Sequence, residues 1–299
     1  MERAVQIASP PFDDETADII LRTSDNVEFR VYSLILSLAS PVFKTMFALP
    51  QKNHADTPII TISEDSSTLD ALLSFCYPVD APRLSDVDLT KKVMEATTKY
   101  DMPEIIKHVQ RQLLSFVEKE PLRVFAISYY YEWEEGIKLA ARECLSREII
   151  QEPVEELDAI NAMAYHHLLQ YHKLCGIATW KLTLSFEWLS PIPVDHLWVK
   201  CPHNLCFERS TVSFKCSDGC SRRAREWLCL YIDAAKKIIK DRPCTKTITP
   251  NYLRASALGK IGDCPSCRLQ AANQLDHFVN VFSQAIEKAI DEVKLELKF

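Results

Sequence analysis

The stretch FRVYSLILSLASPVFKTMF, residues 29–47, decides the fold of the N-terminal part of this 299-residue chain. It begins as a strand, because apolar and polar side chains alternate from Val27 to Val31. Ser33 and the Ser40-Pro41 step then supply residues that helix N-termini prefer, so two short apolar helices are predicted directly after the strand. A strand that leads into a helix pair indicates a mixed α+β unit.

The segments on either side extend this pattern. Upstream, the apolar run Ile19–Leu21 and the turn residues Asp25-Asn26 predict a β-hairpin. Downstream, residues 57–62 predict another strand, and residues 63–76 predict a helix with Asp65 near its positively polarised N-terminus.

Four regions follow from the pattern along the whole chain. We predict a mobile leader over residues 1–15, a compact domain over 16–118, a helical middle region over 119–190 and a Cys-rich helical region over 191–299. Helical periodicity supports the middle region, and the Pro-rich step at 190–193 supports a joint between the last two regions.

Glycine is rare, with 5 residues in 299, and the five are not spaced as a phosphate-binding loop requires. The sequence therefore excludes enzymes that hold a dinucleotide or a nucleoside triphosphate on a glycine-rich loop.

Charge is unevenly distributed along the chain. Residues 1–120 carry 12 Lys and Arg against 19 Asp and Glu, whereas residues 201–299 carry 16 against 11. Because a nucleic-acid binder usually presents a concentrated basic face, nucleic acid is not the expected partner.

The chain also lacks the sequence features of a secreted or membrane protein. No apolar run reaches the roughly 20 residues that span a bilayer, and no signal-peptide core is present at the N-terminus. We therefore expect a cytoplasmic or nuclear location and no membrane partner. In such a reducing compartment, the 11 Cys are expected as thiols or metal ligands rather than disulfides.

The opening stretch resembles the start of a BTB (POZ) domain. The usual pattern of that family is an apolar strand that begins with Asp, a second strand and then a pair of helices. The residues in register with that pattern are Asp18, Phe29, Leu36, Ser40, Phe43, Met46 and Phe47. The chain departs from it at Tyr32, where the family usually has His. The remainder resembles fungal BTB proteins with a Cys pair, a Trp-containing helix, a second Cys-x-x-Cys and a final amphipathic helix.

This resemblance implies a small three-stranded sheet flanked by a helical bundle, followed by a mostly helical C-terminal region. It also implies a protein–protein interaction module that commonly forms homodimers, with an interface at Asp18, Leu34, Ile35 and Leu38. Two alternatives remain open. The apolar residues of the first helix would also fit a purely internal core, and Asp18 would fit a solvated carboxylate at a strand end.

The cysteines near the C-terminus have spacings that suit a metal. Cys264-Pro-Ser-Cys267 is a good zinc half-site, because two thiolates on a short turn can bind one ion. We predict one structural zinc held by Cys264, Cys267 and the upstream pair Cys201 and Cys206, with His203 as a possible replacement for Cys201.

A second upstream pair competes with the first. Cys216 and Cys220 are separated by a loop that contains Gly219, and they could complete the same site. The alternative to any zinc site is a set of buried, unligated thiols, since free Cys is an ordinary small core residue.

We predict a non-enzymatic protein that dimerises through its BTB domain or recruits a protein partner, either as an adaptor of a cullin-type ubiquitin ligase or within a regulatory complex. The alternative is a DNA-binding transcriptional regulator whose Cys-rich C-terminal region reads the DNA. A Cys-dependent enzyme is the third hypothesis, and no local motif supports it.

Overall fold

The structure is a computed structural model. It describes residues 5–49, 57–148, 150, 153–189, 198–199, 208–259, 261 and 265–297. The chain divides into two compact units, Met1–Glu120 and Pro121–Phe299. The second unit contains both the predicted middle region and the predicted Cys-rich region.

From Ile19 onward, the first unit has the strand and helix order that the sequence predicts. Its elements are β1 (Gln6–Ile7), β2 (Ile19–Arg22), β3 (Val27–Val31), α1 (Ser33–Ala39), α2 (Pro41–Phe47), β4 (Ile59–Thr61), α3 (Ser66–Cys76), α4 (Val87–Lys99) and α5 (Pro103–Leu114). A small sheet with helices thus confirms the α+β prediction.

The sheet has the strand order β1-β3-β2-β4. β2 and β3 form the predicted antiparallel hairpin, and Asn26 adopts a positive φ of 65° in its turn, a conformation that Asn tolerates better than most residues. β4 pairs in parallel with β2, and β1 pairs in parallel with β3.

The leader differs from the expectation of a mobile segment. β1 adds a fourth strand to the sheet, and Phe12 is only 1% exposed. The Phe12 ring lies 5.7 Å from that of Phe29 and 5.1 Å from that of Tyr77. Sequence periodicity could not reveal these contacts, because they join residues far apart in the chain.

Ser40 links the two helices of the opening stretch to the rest of the unit. Its buried hydroxyl accepts a hydrogen bond from the Phe43 amide (3.0 Å) and donates one to the Tyr100 carbonyl (2.5 Å). Phe43 stacks on the Tyr100 ring at 4.2 Å. The Ser-x-x-Phe spacing therefore caps α2 and packs it against the end of α4.

The second unit is mostly helical. Its elements are α6 (Pro121–Tyr130), α7 (Glu134–Cys144), a 3₁₀ helix (Glu155–Ala159), α8 (Ala162–Lys181), a second 3₁₀ helix (Glu187–Leu189), β5 (Glu208–Lys215), β6 (Ser221–Arg225), α9 (Glu226–Ile238), α10 (Thr245–Ile248), α11 (Asn251–Leu258) and α12 (Pro265–Asp291). Helical periodicity does not predict the antiparallel β5–β6 hairpin.

The core of the second unit forms around α12. The apolar stripe of this helix is buried, and Phe278 makes edge-to-face contacts with Trp198 (5.4 Å) and Tyr231 (6.1 Å). Among the described helices, none is both long enough and apolar enough to cross a bilayer.

Candidate interaction surface

The exposed face of α1 is the candidate site in the first unit. Leu34 is 70% exposed and Leu38 82% exposed, whereas Leu36 is fully buried. Leu34 and Leu38 are four residues apart and therefore lie on one side of the helix, with half-buried Ile35 next to them. We call Leu34, Ile35 and Leu38 the α1 face.

The α1 face corrects the purely internal interpretation of this helix. That interpretation is right for Leu36, which is buried, but it is wrong for Leu34 and Leu38. Helical periodicity identified the apolar positions, yet α1 is short and apolar on more than one side, so periodicity alone could not say which side faces the core.

Asp18 holds the N-terminus of this helix. Its carboxylate accepts hydrogen bonds from the Ser33 amide (2.7 Å) and from the Ser33 hydroxyl (2.5 Å). Ser33 is the first residue of α1, and the preceding Tyr32 provides no side-chain cap. Asp18 therefore satisfies an amide that the helix leaves unpaired, a role that neither sequence-based interpretation included.

Tyr32 occupies the position where the resemblance leads one to expect His, and it forms hydrogen bonds next to the start of α1. Its hydroxyl donates a hydrogen bond to the Asp14 carboxylate (2.5 Å), and its amide donates to the Tyr77 hydroxyl (2.8 Å). The hydrogen bonds from Tyr32 and Thr16 hold the pKa of Asp14 below its ordinary value. The hydrogen bond between Tyr32 and Asp14 thereby connects the loop before β2 to the junction of β3 and α1.

Most of the predicted zinc ligands fall on residues that the structure does not describe. Cys201, His203, Cys206 and Cys264 lie outside the described residues, whereas Cys267 is buried on α12. No group of three or more potential metal ligands occurs among the described residues.

The alternative pair lies at the β5–β6 turn. Cys216 is buried and Cys220 is exposed, and the Cys216 amide donates a hydrogen bond to the Cys220 carbonyl (2.9 Å). Gly219 has a φ of +81°, which only glycine adopts without strain. The glycine thus closes the loop between the two thiols.

Comparison with known families supports the fold of the first unit. Residues 10–116 match the family model of the BTB/POZ domain. The matched range contains β2 to β4 and α1 to α5, and hence the α1 face. No curated protein matches the chain.

Proposed function

Residues 10–116 are a BTB/POZ domain, a protein–protein interaction module, and from this premise we propose that the chain is a non-enzymatic protein that dimerises through the α1 face and recruits a protein partner. The single observation that carries the dimer is the exposure of two leucines, Leu34 and Leu38, on a helix that Asp18 holds in place.

A symmetric dimer would use this face on both subunits. In a two-fold interface the same patch meets itself, so Leu34 and Leu38 each count twice. Burial of a fully exposed Leu contributes about 1.5–3 kcal/mol, and four such side chains supply a large apolar contribution to association. The α1 face itself is uncharged, and the exposed Asp18 at the N-terminus of α1 already has its carboxylate hydrogen-bonded to Ser33.

The first prediction tests the dimer. Leu34→Asp combined with Leu38→Asp places four carboxylates in the proposed interface, and we expect at least a ~100-fold weaker association. Size-exclusion chromatography with light scattering on the full chain, over a range of micromolar concentrations, would show a dimer mass for the wild type and a monomer mass for the variant.

A matched control separates the α1 face from general effects of added charge. Leu184 and Leu269 are also exposed, at 50% and 80%, and lie in the second unit. Leu184→Asp with Leu269→Asp should leave the dimer intact. A monomeric wild type at every concentration would contradict the proposal, as would equal dissociation of both double variants.

The partner is proposed to be a cullin-type ubiquitin ligase scaffold or a regulatory complex, in line with the BTB resemblance. Affinity capture of the full chain followed by mass spectrometry would distinguish these. Co-purification of a cullin would support the adaptor role, and co-purification of transcriptional or chromatin proteins without a cullin would support the regulatory role.

The arginines of β6 give the DNA-binding alternative little support. Arg222 pairs with Asp218 at 2.6 Å, and Arg225 is 4% exposed. Arg223 is the exposed arginine of the three. A phosphate-binding face requires several available cations side by side, so we keep protein binding as the proposed function.

We also propose one structural zinc, bound by Cys201, Cys206, Cys264 and Cys267. Two described contacts near these positions fit such a site. Trp198, just before the upstream pair, donates from its indole to the Gln274 carbonyl on α12 (3.0 Å), the helix that carries Cys267. The Trp198 carbonyl accepts from the Arg225 amide (2.8 Å), and Glu208, just after the pair, is opposite Arg225 in the hairpin.

The competing pair lies at the other end of that hairpin. Ser221, next to Cys220, is four residues from Arg225, and four residues of extended strand span about 13 Å. The competing pair is therefore about 13 Å along the hairpin from the end formed by Glu208 and Arg225. Bound zinc would hold the thiolates of the site and link α12 to the chain before β5.

The second prediction concerns metal content. We expect about one zinc per full-length chain, because four thiolates complete a closed tetrahedral site. Cys264→Ser with Cys267→Ser should remove it, whereas the matched double change Cys216→Ser with Cys220→Ser should not. Elemental analysis of the purified proteins is the measurement. A metal-free wild type whose circular dichroism is unchanged by chelator would show that the thiols are ordinary core residues.

A further inference from the structure

We propose that a groove at the turn between α6 and α7 binds an arginine-rich segment of a protein partner. We call this site the α6–α7 groove; Trp133, Glu135 and Leu139 line it, and Tyr130 and Glu132 shortly precede Trp133 in the chain. It lies in the second unit, outside the BTB domain, and shares no residue with the α1 face.

The groove is built by a tight connection between two helices. α6 ends at Tyr130 and α7 starts at Glu134. Glu132 takes a φ of 53°, and the Trp133 amide donates a hydrogen bond to the Ser128 carbonyl (2.9 Å). The resulting shallow depression, of about 570 Å³, is lined by Trp133, Glu134, Glu135, Lys138 and Leu139.

Gly136 fixes the Trp133 indole in this groove. A Cβ on Gly136 would lie 2.3 Å from Cε3 of Trp133 and 2.6 Å from its Cζ3, so the indole rests directly on the glycine backbone. The Trp133 side chain is half-buried, so part of the indole stays accessible. A flat aromatic surface that is already held in place loses little conformational entropy when a ligand stacks on it.

The rim of the groove is negative. Glu132 and Glu135 are exposed, and neither forms an ion pair with a described residue. Glu134 pairs with Lys138 at 2.5 Å, which neutralises the cation that lines the groove. Glu135 therefore lines the groove as a carboxylate with no ion-pair partner among the described residues, and Glu132, next to Trp133 in the chain, adds a second such carboxylate.

Exposed apolar side chains occur on either side of Trp133 in the chain, and one of them, Leu139, lines the groove. Tyr130 is 59% exposed and Leu139 44% exposed. A partner must therefore cover an aromatic and aliphatic floor and also match two carboxylates.

Arginine matches both requirements. Its planar guanidinium stacks on an indole and donates paired hydrogen bonds to carboxylates, while its aliphatic stem covers apolar surface. Lysine offers a compact, strongly hydrated charge and stacks less well. Anionic partners such as nucleic acid or acidic lipid would be repelled by the same rim.

The experiment is a fluorescence anisotropy titration of the full chain. The probe is a fluorescein-labelled peptide with six arginines separated by Gly and Ser, compared with a peptide that carries neutral citrulline at the same six positions. We expect micromolar binding of the arginine peptide and no saturable binding of the citrulline peptide. Glu132→Gln with Glu135→Gln should weaken binding roughly five-fold or more.

A matched variant distinguishes the groove from general attraction to an acidic protein. Glu155 and Asp158 are exposed carboxylates of the first 3₁₀ helix, which packs near Arg123 at the opposite end of α6. Glu155→Gln with Asp158→Asn removes the same two charges and should leave the affinity within two-fold. Equal weakening in the two double variants, or no saturable binding to the wild type, would overturn the proposal.

A second variant tests the stacking itself. Trp133→Leu keeps an apolar floor but removes the aromatic face, and we expect a loss of about three-fold. Circular dichroism confirms that the variant is folded, and the Glu132/Glu135 variant remains informative if it is not. An unchanged affinity of folded Trp133→Leu would contradict the role of the indole.

Discussion

Gly176→Ala is expected to destabilise the second unit by roughly 3 kcal/mol, although alanine favours a helix more than glycine does. Gly176 lies within α8, where a Cβ would be 2.3 Å from the carbonyl oxygen of Lys240. Because the atom in the way belongs to the backbone, it cannot rotate aside as a side chain would. The two segments must separate, and the packing between α8 and the end of α9 is lost.

Thermal unfolding of the full chain measures this effect. For a unit of this size, a loss of 3 kcal/mol corresponds to a fall in Tm of about 6–12 °C. Gly259→Ala is the matched control, because its φ is ordinary and the nearest atom to the new Cβ, the Ala255 carbonyl oxygen, is 3.2 Å away, a contact that a shift of a few tenths of an ångström relieves. We expect a much smaller loss of stability there. A Gly176→Ala protein as stable as wild type would show that Gly176 and the Lys240 carbonyl are far enough apart to admit a methyl group.

The Arg123→Ala substitution is expected to destabilise the second unit by about 3–5 kcal/mol, because it removes the guanidinium from a buried carboxylate. Glu156 is 2% exposed, and both of its oxygens lie 3.0 Å from Arg123 Nε. Arg123 Nη2 adds a contact of 2.6 Å. Without this cation the desolvated charge of Glu156 loses its main compensation.

Chemical denaturation measures the free energy of unfolding of the single and double variants, and so distinguishes the effect of losing one partner from the effect of losing both. Arg123→Met with Glu156→Leu removes both charges and should recover much of the lost stability, since apolar side chains of similar size tolerate burial. Lys107→Ala is the control, because the pair Lys107–Glu104 is exposed and a solvent-screened surface pair contributes little to stability. If Arg123→Ala costs no more than Lys107→Ala, the buried pair has no structural role.

Local sequence was sufficient to predict most secondary-structure elements of the BTB domain, and the family resemblance supplied their arrangement. The alternation of Val27–Val31, the Ser40 cap and the Asp25-Asn26 turn each act over a few residues, and these elements formed at the predicted places. Asp65 likewise caps α3, where it accepts from the Thr68 amide (2.9 Å). Such signals are readable because their physical cause lies within one or two helical turns. The predicted cap at Ser33 is wrong, because Ser33 is the first residue of α1 and its amide is satisfied by Asp18.

The candidate interaction surfaces could be predicted only in part. Leu34, Ile35 and Leu38 were named from the sequence, but their exposure depends on which side of α1 packs against α2 and α3. The α6–α7 groove carried no periodic signal, because its aromatic floor is created by the absence of a side chain at Gly136.

The remaining features depend on contacts between residues far apart in the chain. The addition of β1 to the sheet, the approach of α8 to Lys240 at Gly176 and the Arg123–Glu156 pair each join segments separated by 20 to more than 60 residues. Their existence depends on how complete elements pack together, and packing sums many small contacts that no short stretch of sequence contains. Local propensity therefore specifies which elements form. Which face of each element is buried depends on how all the elements of the unit pack around a common core.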